Sequence, residues 1–429
     1  MPDCMQSCDS LTRRAYAFVE VCRYWRQIAT NAPGLWEAHI DVGTKIPLDL
    51  LRLLLERAKN GSINIHWVEI GRDRTSRNSL VKCELSEAIM LLGPHIPRIR
   101  SLTVQAMTHS PDDTLLAINH WLDYGDPALA KVLDMNVTDA AFPSIEGYNI
   151  LTRISQSKNS EKLLSSISTL RLEGSALPWD SSVYRGLTSL ILFTHGEVKV
   201  SVPQIYSVLA ASSQTLVVLK LSFFIITAGV EGGSRYVPIV LNKLNTLNLQ
   251  SIGGRESTAL LLPLIALPNP PRNLDVALRA CKEEQDVHNK FFAQSPFATF
   301  YYEESKFERQ SWIASQLFLS LPCANNLLIL RDFTFLEEQG LDEDRLSNSL
   351  SPHIPNLVLL LCSITFEVLS ELITKHRVQT LRLELCSIRG SRGSKTGWRR
   401  AMRQNHPNLE WTISSEDSTI FHPARQWRT

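Results

Sequence analysis

The segment VQTLRLELCSI, residues 378–388, sets the strongest constraint on the fold. Val378, Leu381, Leu383, Cys386 and Ile388 hold the apolar positions, with Gln379, Thr380, Arg382 and Glu384 between them. Alternation of apolar and polar residues is the period of a strand that buries one face. Close copies occur as ISTLRLEGSAL from Ile167, LVVLKLSFFII from Leu216 and LNTLNLQSI from Leu244. Looser copies are IRSLTVQAM, LTSLILFTH, RNLDVAL, NNLLILRDFTF, PNLVLLLCSI and PNLEWTI. Anchored on the second apolar position they fall at 102, 170, 190, 219, 247, 274, 330, 360, 381 and 409. The steps are 68, 20, 29, 28, 27, 56, 30, 21 and 28, so most cluster near 28 and one is twice that. The two longest steps predict further units near Leu133 and Tyr302. Stretches 105–165 and 280–325 stay open between repeats, insertions and loops.

The spacing L-x-x-L-x-L-x-x-C-x-I resembles the leucine-rich-repeat pattern, in which a strand buries alternate residues before the chain turns over a ladder position. A lone strand-helix unit leaves its apolar face wet, and stacking neighbours buries it. The expected fold is therefore α/β, a curved leucine-rich-repeat solenoid. Residues between the buried leucines, among them Arg171, Lys220, Asn248, Arg382 and Glu384, are expected on the concave face as target-binding candidates.

The front of the chain reads differently. Leu11, Ala15, Phe18, Val19, Cys22, Trp25, Ile28 and Ala29 step by three and four, which predicts one helix capped by Asp9 or Ser10. Asn31-Ala32-Pro33-Gly34 ends it, and Trp25 on the apolar face is expected to shape a small helical domain. AHIDV reads as a short strand, PLDLLRLLLERAKN as a helix starting near Pro47, and INIHWVEI as a strand after the Asn60-Gly61 turn.

VCRYWRQIATNAPGLW, residues 21–36, resembles the second half of an F-box, through Val21, Cys22, Trp25, Arg26, Ile28, Ala29, Pro33, Leu35 and Trp36. The following helix and strand are similar to those that join F-box to repeats in fungal F-box proteins. The family's opening L-P-x-E-[IL]-L helix has no counterpart before Leu11, so the F-box reads as N-terminally incomplete, through a truncated start or a lost adaptor contact. The resemblance implies a partial F-box-like segment over 1–40 and irregular repeats over 41–429. It implies a substrate-recruiting subunit of a cullin-RING ubiquitin ligase, which docks on an adaptor subunit and holds a target protein through the repeats. Adaptor contacts are then expected from Leu11, Val21, Trp25, Ile28, Pro33 and Trp36. The alternative is a repeat scaffold that binds a protein partner without the ligase.

Other classes find less support. Net charge is +1, so no global field draws nucleic acid or an anionic membrane. Arg389, Arg392, Lys395, Arg399, Arg400 and Arg403 form a local basic run, read as a solvated loop and helix. RGSRGSKTG has Ser394 where a phosphate loop requires glycine before the lysine. LEEQGLDEDRL lacks calcium-loop spacing, and no G-x-S-x-G, H-E-x-x-H or G-x-G-x-x-G occurs. No enzyme activity, cofactor or metal is expected. The eight cysteines are scattered without a C-x-x-C pair, which predicts reduced thiols in a cytoplasmic or nuclear protein.

Overall fold

The computed structural model describes residues 22–31, 40–43, 47–70, 81–107, 112–137, 154, 156–174, 177–228, 236–253, 257–267, 274–280, 284–293, 297–304, 311–313, 317, 324–336, 353–389 and 397–414. Among these the chain is α/β, with a large parallel β-sheet and ten α-helices. It divides into two compact units, residues 1–198 with 204–216, and residues 199–203 with 217–429.

The first unit holds α1 (Arg23–Asn31) and six parallel strands in chain order: β1 (Ile40–Gly43), β2 (Ile63–Ile70), β3 (Ile99–Met107), β4 (Val132–Val137), β5 (Thr169–Glu173) and β6 (Ser189–Ser201). Parallel neighbours need a crossover, and helices supply most of them. These are α2 (Leu48–Arg57), α3 (Val81–Leu92), α4 (Asp112–Tyr124) and α5 (Lys158–Ser166), with α6 (Val202–Ser212) after β6. Helix α2 begins at the predicted place: Pro47 precedes it, Asp49 sits in its first turn, and Leu51, Leu54 and Leu55 form the buried face. Ser157 caps α5, its hydroxyl accepting from the Ser160 amide at 3.1 Å.

Register turns the leucine pattern into a core. Ile65, Leu102, Leu133, Leu170 and Leu190 stand opposite one another, as do Trp67, Val104, Met135, Leu172 and Leu192. All ten are at most 3% exposed. Polar ends on this side find partners: Trp67 Nε1 donates to Thr114 Oγ1 of α4 at 3.1 Å, and that hydroxyl donates to the Glu69 carboxylate. The Asn159 amide gathers the carbonyls of Leu122, Asp123 and Gly125 at the end of α4.

The second unit continues with β7 (Val218–Thr227), β8 (Ile239–Val240), β9 (Thr246–Gly253), β10 (Ile265–Ala266), β11 (Asp275–Ala280), β12 (Phe297–Glu304), β13 (Ser311–Ile313), β14 (Ala324–Arg331), β15 (Thr334–Leu336), β16 (Asn356–Leu360), β17 (Ser363–Thr365), β18 (Thr380–Glu384), β19 (Ser387–Arg389) and β20 (Glu410–Ser414). The long strands again pair in chain order and in parallel, while β13, β15, β17 and β19 form a narrow second sheet and β8 pairs β10. Helices α7 (Ser257–Leu261), α8 (Gln285–Phe292), α9 (Phe366–Lys375) and α10 (Gly397–Asn405) lie between strands. Leu219, Leu247, Val276, Phe300, Leu328, Leu357, Leu381 and Trp411 share one row.

One turn recurs after these strands. Asp332, Leu361 and Leu385 each follow a strand directly and adopt the left-handed conformation, with φ of 62, 55 and 52°. Each amide reaches the last strand residue of the next unit: Asp332 donates to Leu360 O at 2.9 Å, Leu361 to Glu384 O at 2.9 Å and Leu385 to Ser414 O at 3.0 Å. In the first unit Gly174, at φ 79°, donates to Phe193 O at 2.8 Å in the same way. The hydrogen bond keeps a conformation that leucine rarely adopts.

The units expected near Leu133 and Tyr302 are β4 and β12. Four anchors need correction. The true register positions are Val276, Leu328, Leu357 and Trp411, not Leu274, Leu330, Leu360 and Leu409. Offsets of two keep the face, but Leu360 is three beyond Leu357 and lies on the opposite side. In NLVLLL every residue from Leu357 to Leu360 is buried, so alternation cannot mark the face. The long first helix is described only over Arg23–Asn31; Leu11 and its cap lie outside the described residues, as do residues 32–39 before the boundary expected at 40.

Truncating Leu219 or Leu381, at 0 and 2% exposure, removes a methyl cluster from a filled row. Leu219→Ala or Leu381→Ala is expected to cost about 2–5 kcal/mol in urea unfolding. A second expectation concerns His288 on α8, fully buried with Nδ1 3.0 Å from Tyr302 Oη among Phe292, Phe300 and Phe333. Burial lowers its pKa to about 4. The unfolded chain takes up this proton near 6.5, so stability is complete above that pH and falls by roughly 3 kcal/mol as pH drops towards 4. His288→Gln should flatten that part of the pH-stability profile.

Candidate interaction surface

The strand face opposite the buried leucine rows carries the polar residues. In the first unit one row runs Asp41, His66, Thr103, Asp134, Arg171 and Ile191, and the next runs Gly43, Val68, Gln105, Asn136, Glu173 and Phe193. Parallel register sets these side chains one strand spacing apart, about 4.8 Å. Gly43 belongs where it stands, because a Cβ there would come within 2.3 Å of Val68 O.

This face is an ion-pair network. His66 Nδ1 lies 2.8 Å from Asp41 Oδ1. Arg171 stands between two acids, its Nε 3.8 Å from Asp134 Oδ1 and its Nη2 3.7 Å from Glu173 Oε2. Asn136 Nδ2 donates to the same Glu173 oxygen at 3.0 Å. Burial pushes the Asp134 carboxyl above the usual carboxylate range, Arg171 opposing it and Glu173 adding to it.

The second unit presents a different face. Lys220 pairs with Asn248, Ala277 follows, and the row continues through Tyr301, Ile329, Val358, Arg382 and Thr412. Ala277, Tyr301, Ile329, Val358 and Leu360 form a buried apolar cluster. Arg331 borders it, with Nη1 3.4 Å from Tyr301 Oη, and Nε 3.7 Å from Glu303 and 3.3 Å from Asp332. The Arg382 guanidinium pairs with the Glu384 carboxylate.

The sequence-predicted target-binding residues thus separate into two groups. Arg171 and Arg382 are part-exposed, with side-chain exposures of 27 and 32%. Lys220, Asn248 and Glu384 stand on the same face yet are buried, at 9, 6 and 7% exposure, which corrects the expectation of an open reading surface at those positions. His66, Asp134, Asn136 and Glu173 were not singled out from sequence. The alternation in INIHWVEI and VLDMNV marks His66 and Asp134, each of which lies between two buried residues of its strand.

Of the six adaptor candidates, Leu11, Val21, Pro33 and Trp36 lie outside the described residues. Trp25 and Ile28 stand on α1 and are exposed, at 46 and 41%, beside Tyr24 at 70%. Among the described residues no group of three or more His, Cys, Asp or Glu side chains is placed to hold a metal ion, and no helix is long and apolar enough to cross a membrane.

No family model matches the sequence, and no curated protein matches it. The functional assignment therefore rests on the residues themselves.

Replacing Arg171 by Met leaves Asp134 and Glu173 without their shared cation. The variant is expected to lose about 1–3 kcal/mol in urea unfolding at neutral pH. The loss should shrink as pH is lowered and Asp134, whose carboxyl burial already pushes upward, protonates.

Proposed function

We propose that the strand-turn units make a curved leucine-rich-repeat solenoid, and that the chain is the substrate-recruiting F-box subunit of a cullin-RING ubiquitin ligase. The observation that carries the second part is helix α1, which presents Trp25, Ile28 and Tyr24 to solvent in an otherwise polar segment. Exposed aromatic and aliphatic side chains on one short helix are the usual anchors of a helix-mediated interface. In support of the first part, consecutive strands pair in parallel and in chain order, and the turn at Asp332 recurs at Leu361 and Leu385.

In this reading α1 binds the adaptor, while the polar face around Arg171, Asp134 and Glu173 and the Arg382 region bind the target. The chain contributes no chemical step of its own. Holding a target beside a charged ubiquitin-carrying enzyme raises its effective concentration, and that proximity is the mechanism.

The test is a titration of the full chain with the ligase adaptor subunit, monitored by calorimetry. Binding is expected in the wild type, with Trp25→Ala and Ile28→Ala each weakening it about tenfold. Both residues are exposed, so unfolding does not account for a loss. A wild-type chain that does not bind the adaptor overturns the ligase reading and leaves a repeat scaffold.

A further inference from the structure

Two thiols occupy equivalent places in consecutive units. Cys362 follows β16 and the left-handed Leu361, and Cys386 follows β18 and the left-handed Leu385. Leu360 pairs with Glu384 before the two thiols, and Ser363 pairs with Ser387 after them. With both flanks in register, the two Cα atoms lie one strand spacing apart, about 4.8 Å. A disulfide requires roughly 4.4–6.8 Å between Cα atoms, so the backbone already satisfies its longest-range condition.

The side chains agree with the backbone. Cys362 Sγ lies 3.3 Å from Leu360 O of its own unit and 3.5 Å from Leu330 O of the preceding one. Cys386 Sγ repeats the pose, 3.3 Å from Glu384 O and 3.2 Å from Leu359 O. The two Cβ directions are therefore nearly parallel. The two thiols are close enough to influence each other's protonation. Parallel Cβ directions at that spacing stand slightly wider than the roughly 3.5–4.5 Å of a disulfide, so closure requires rotation about χ1 and a shift of the Leu385 turn. Both cysteines are free in this structure.

Their surroundings divide the labour. Cys362 is 1% exposed and burial pushes its thiol well up, which keeps it protonated. Cys386 is half-buried, and the neighbouring Cys362 thiol holds its pKa below the usual range. A part-exposed thiol of lowered pKa with a second thiol one strand away is the arrangement of a redox-sensing pair.

We propose that Cys362 and Cys386 are a peroxide-responsive modification site, whose oxidation closes a disulfide across two consecutive strand-turn units. The Cys386 thiolate attacks one oxygen of the peroxide, the O–O bond breaks, and the departing hydroxide leaves as water after taking up a proton. The Cys386 sulfenic acid is then attacked by the Cys362 sulfur. The S–O bond breaks, and the hydroxyl leaves as a second water with the Cys362 proton. Two thiols lose two electrons and one peroxide gains them, so atoms and charge balance. The bond would fix the end of β18 at Glu384 to the turn beside it, and it forms whether or not the chain serves a ligase.

The full-length chain is treated with hydrogen peroxide, free thiols are alkylated, and the digest is mapped by mass spectrometry. The expected product is a peptide holding Cys386 linked to the peptide holding Cys362, two hydrogens lighter than the reduced pair and separated by dithiothreitol. In Cys362→Ser, Cys386 is expected to accumulate as a dimedone-trapped sulfenic acid instead. The proposal is overturned if Cys362 and Cys386 remain fully alkylated while the exposed Cys22 is oxidised, or if either is linked to another cysteine in their place. The wild-type cross-link is read without any substitution, so the outcome does not depend on whether the variant folds.

Discussion

A parallel strand has hydrogen-bonding groups along both edges and no hairpin to close either one, and the rest of this structure depends on that constraint. β16 satisfies it by pairing with β14 on one side and β18 on the other, each in register. The same pairing sets Leu328, Leu357 and Leu381 in one apolar row, so neighbour-to-neighbour hydrogen bonding and burial are achieved by a single alignment. A unit taken alone would expose both an unpaired edge and a wet leucine face. Stability within each compact unit is accordingly shared among its strands. A defect in one row is felt first by the two strands beside it.

That alignment explains what the amino-acid sequence disclosed and what it withheld. Strands with a clean two-residue period, such as TLRLE at both Thr169 and Thr380, were legible to the residue because polar side chains separate the buried ones. Helix α2 was legible from Pro47 and the Leu51, Leu54 and Leu55 spacing. The strands β12 and β16 were not. FATFYYEE and NLVLL bury both faces, and a strand covered on both sides loses its alternation. The error at Leu360 follows, since three residues of offset reverse a face while two do not.

The candidate surface was legible in kind but not in composition. Arg171 and Arg382 stand where alternation places them, part-exposed and paired to acids two residues further along the same strand. What could not be read is cooperation across strands: Asp134 is 37 residues before Arg171 and meets it only through the ladder. The burial of Lys220 and Asn248 is likewise a property of neighbours rather than of their own segments. For Trp25 the helix is found over Arg23–Asn31 and the side chain is 46% exposed there, while the earlier part of the helical period lies outside the described residues.

The left-handed turns bear on how such a chain tolerates changes of length. Asp332, Leu361 and Leu385 each stand one residue beyond a strand end, and each spends its amide on the following unit. From Asp332 to Leu361 the chain covers 29 residues, and from Leu361 to Leu385 it covers 24, yet the strand-to-turn stretch is the same in both. The difference falls between the short strand and the next long one, a stretch that holds α9 in the shorter case. Across these three turns the side with the αL residue and the following Phe333, Cys362 or Cys386 keeps a fixed count, whereas β12 and β13 are separated by six residues on that side. Both arms can therefore change length while the strand register is kept.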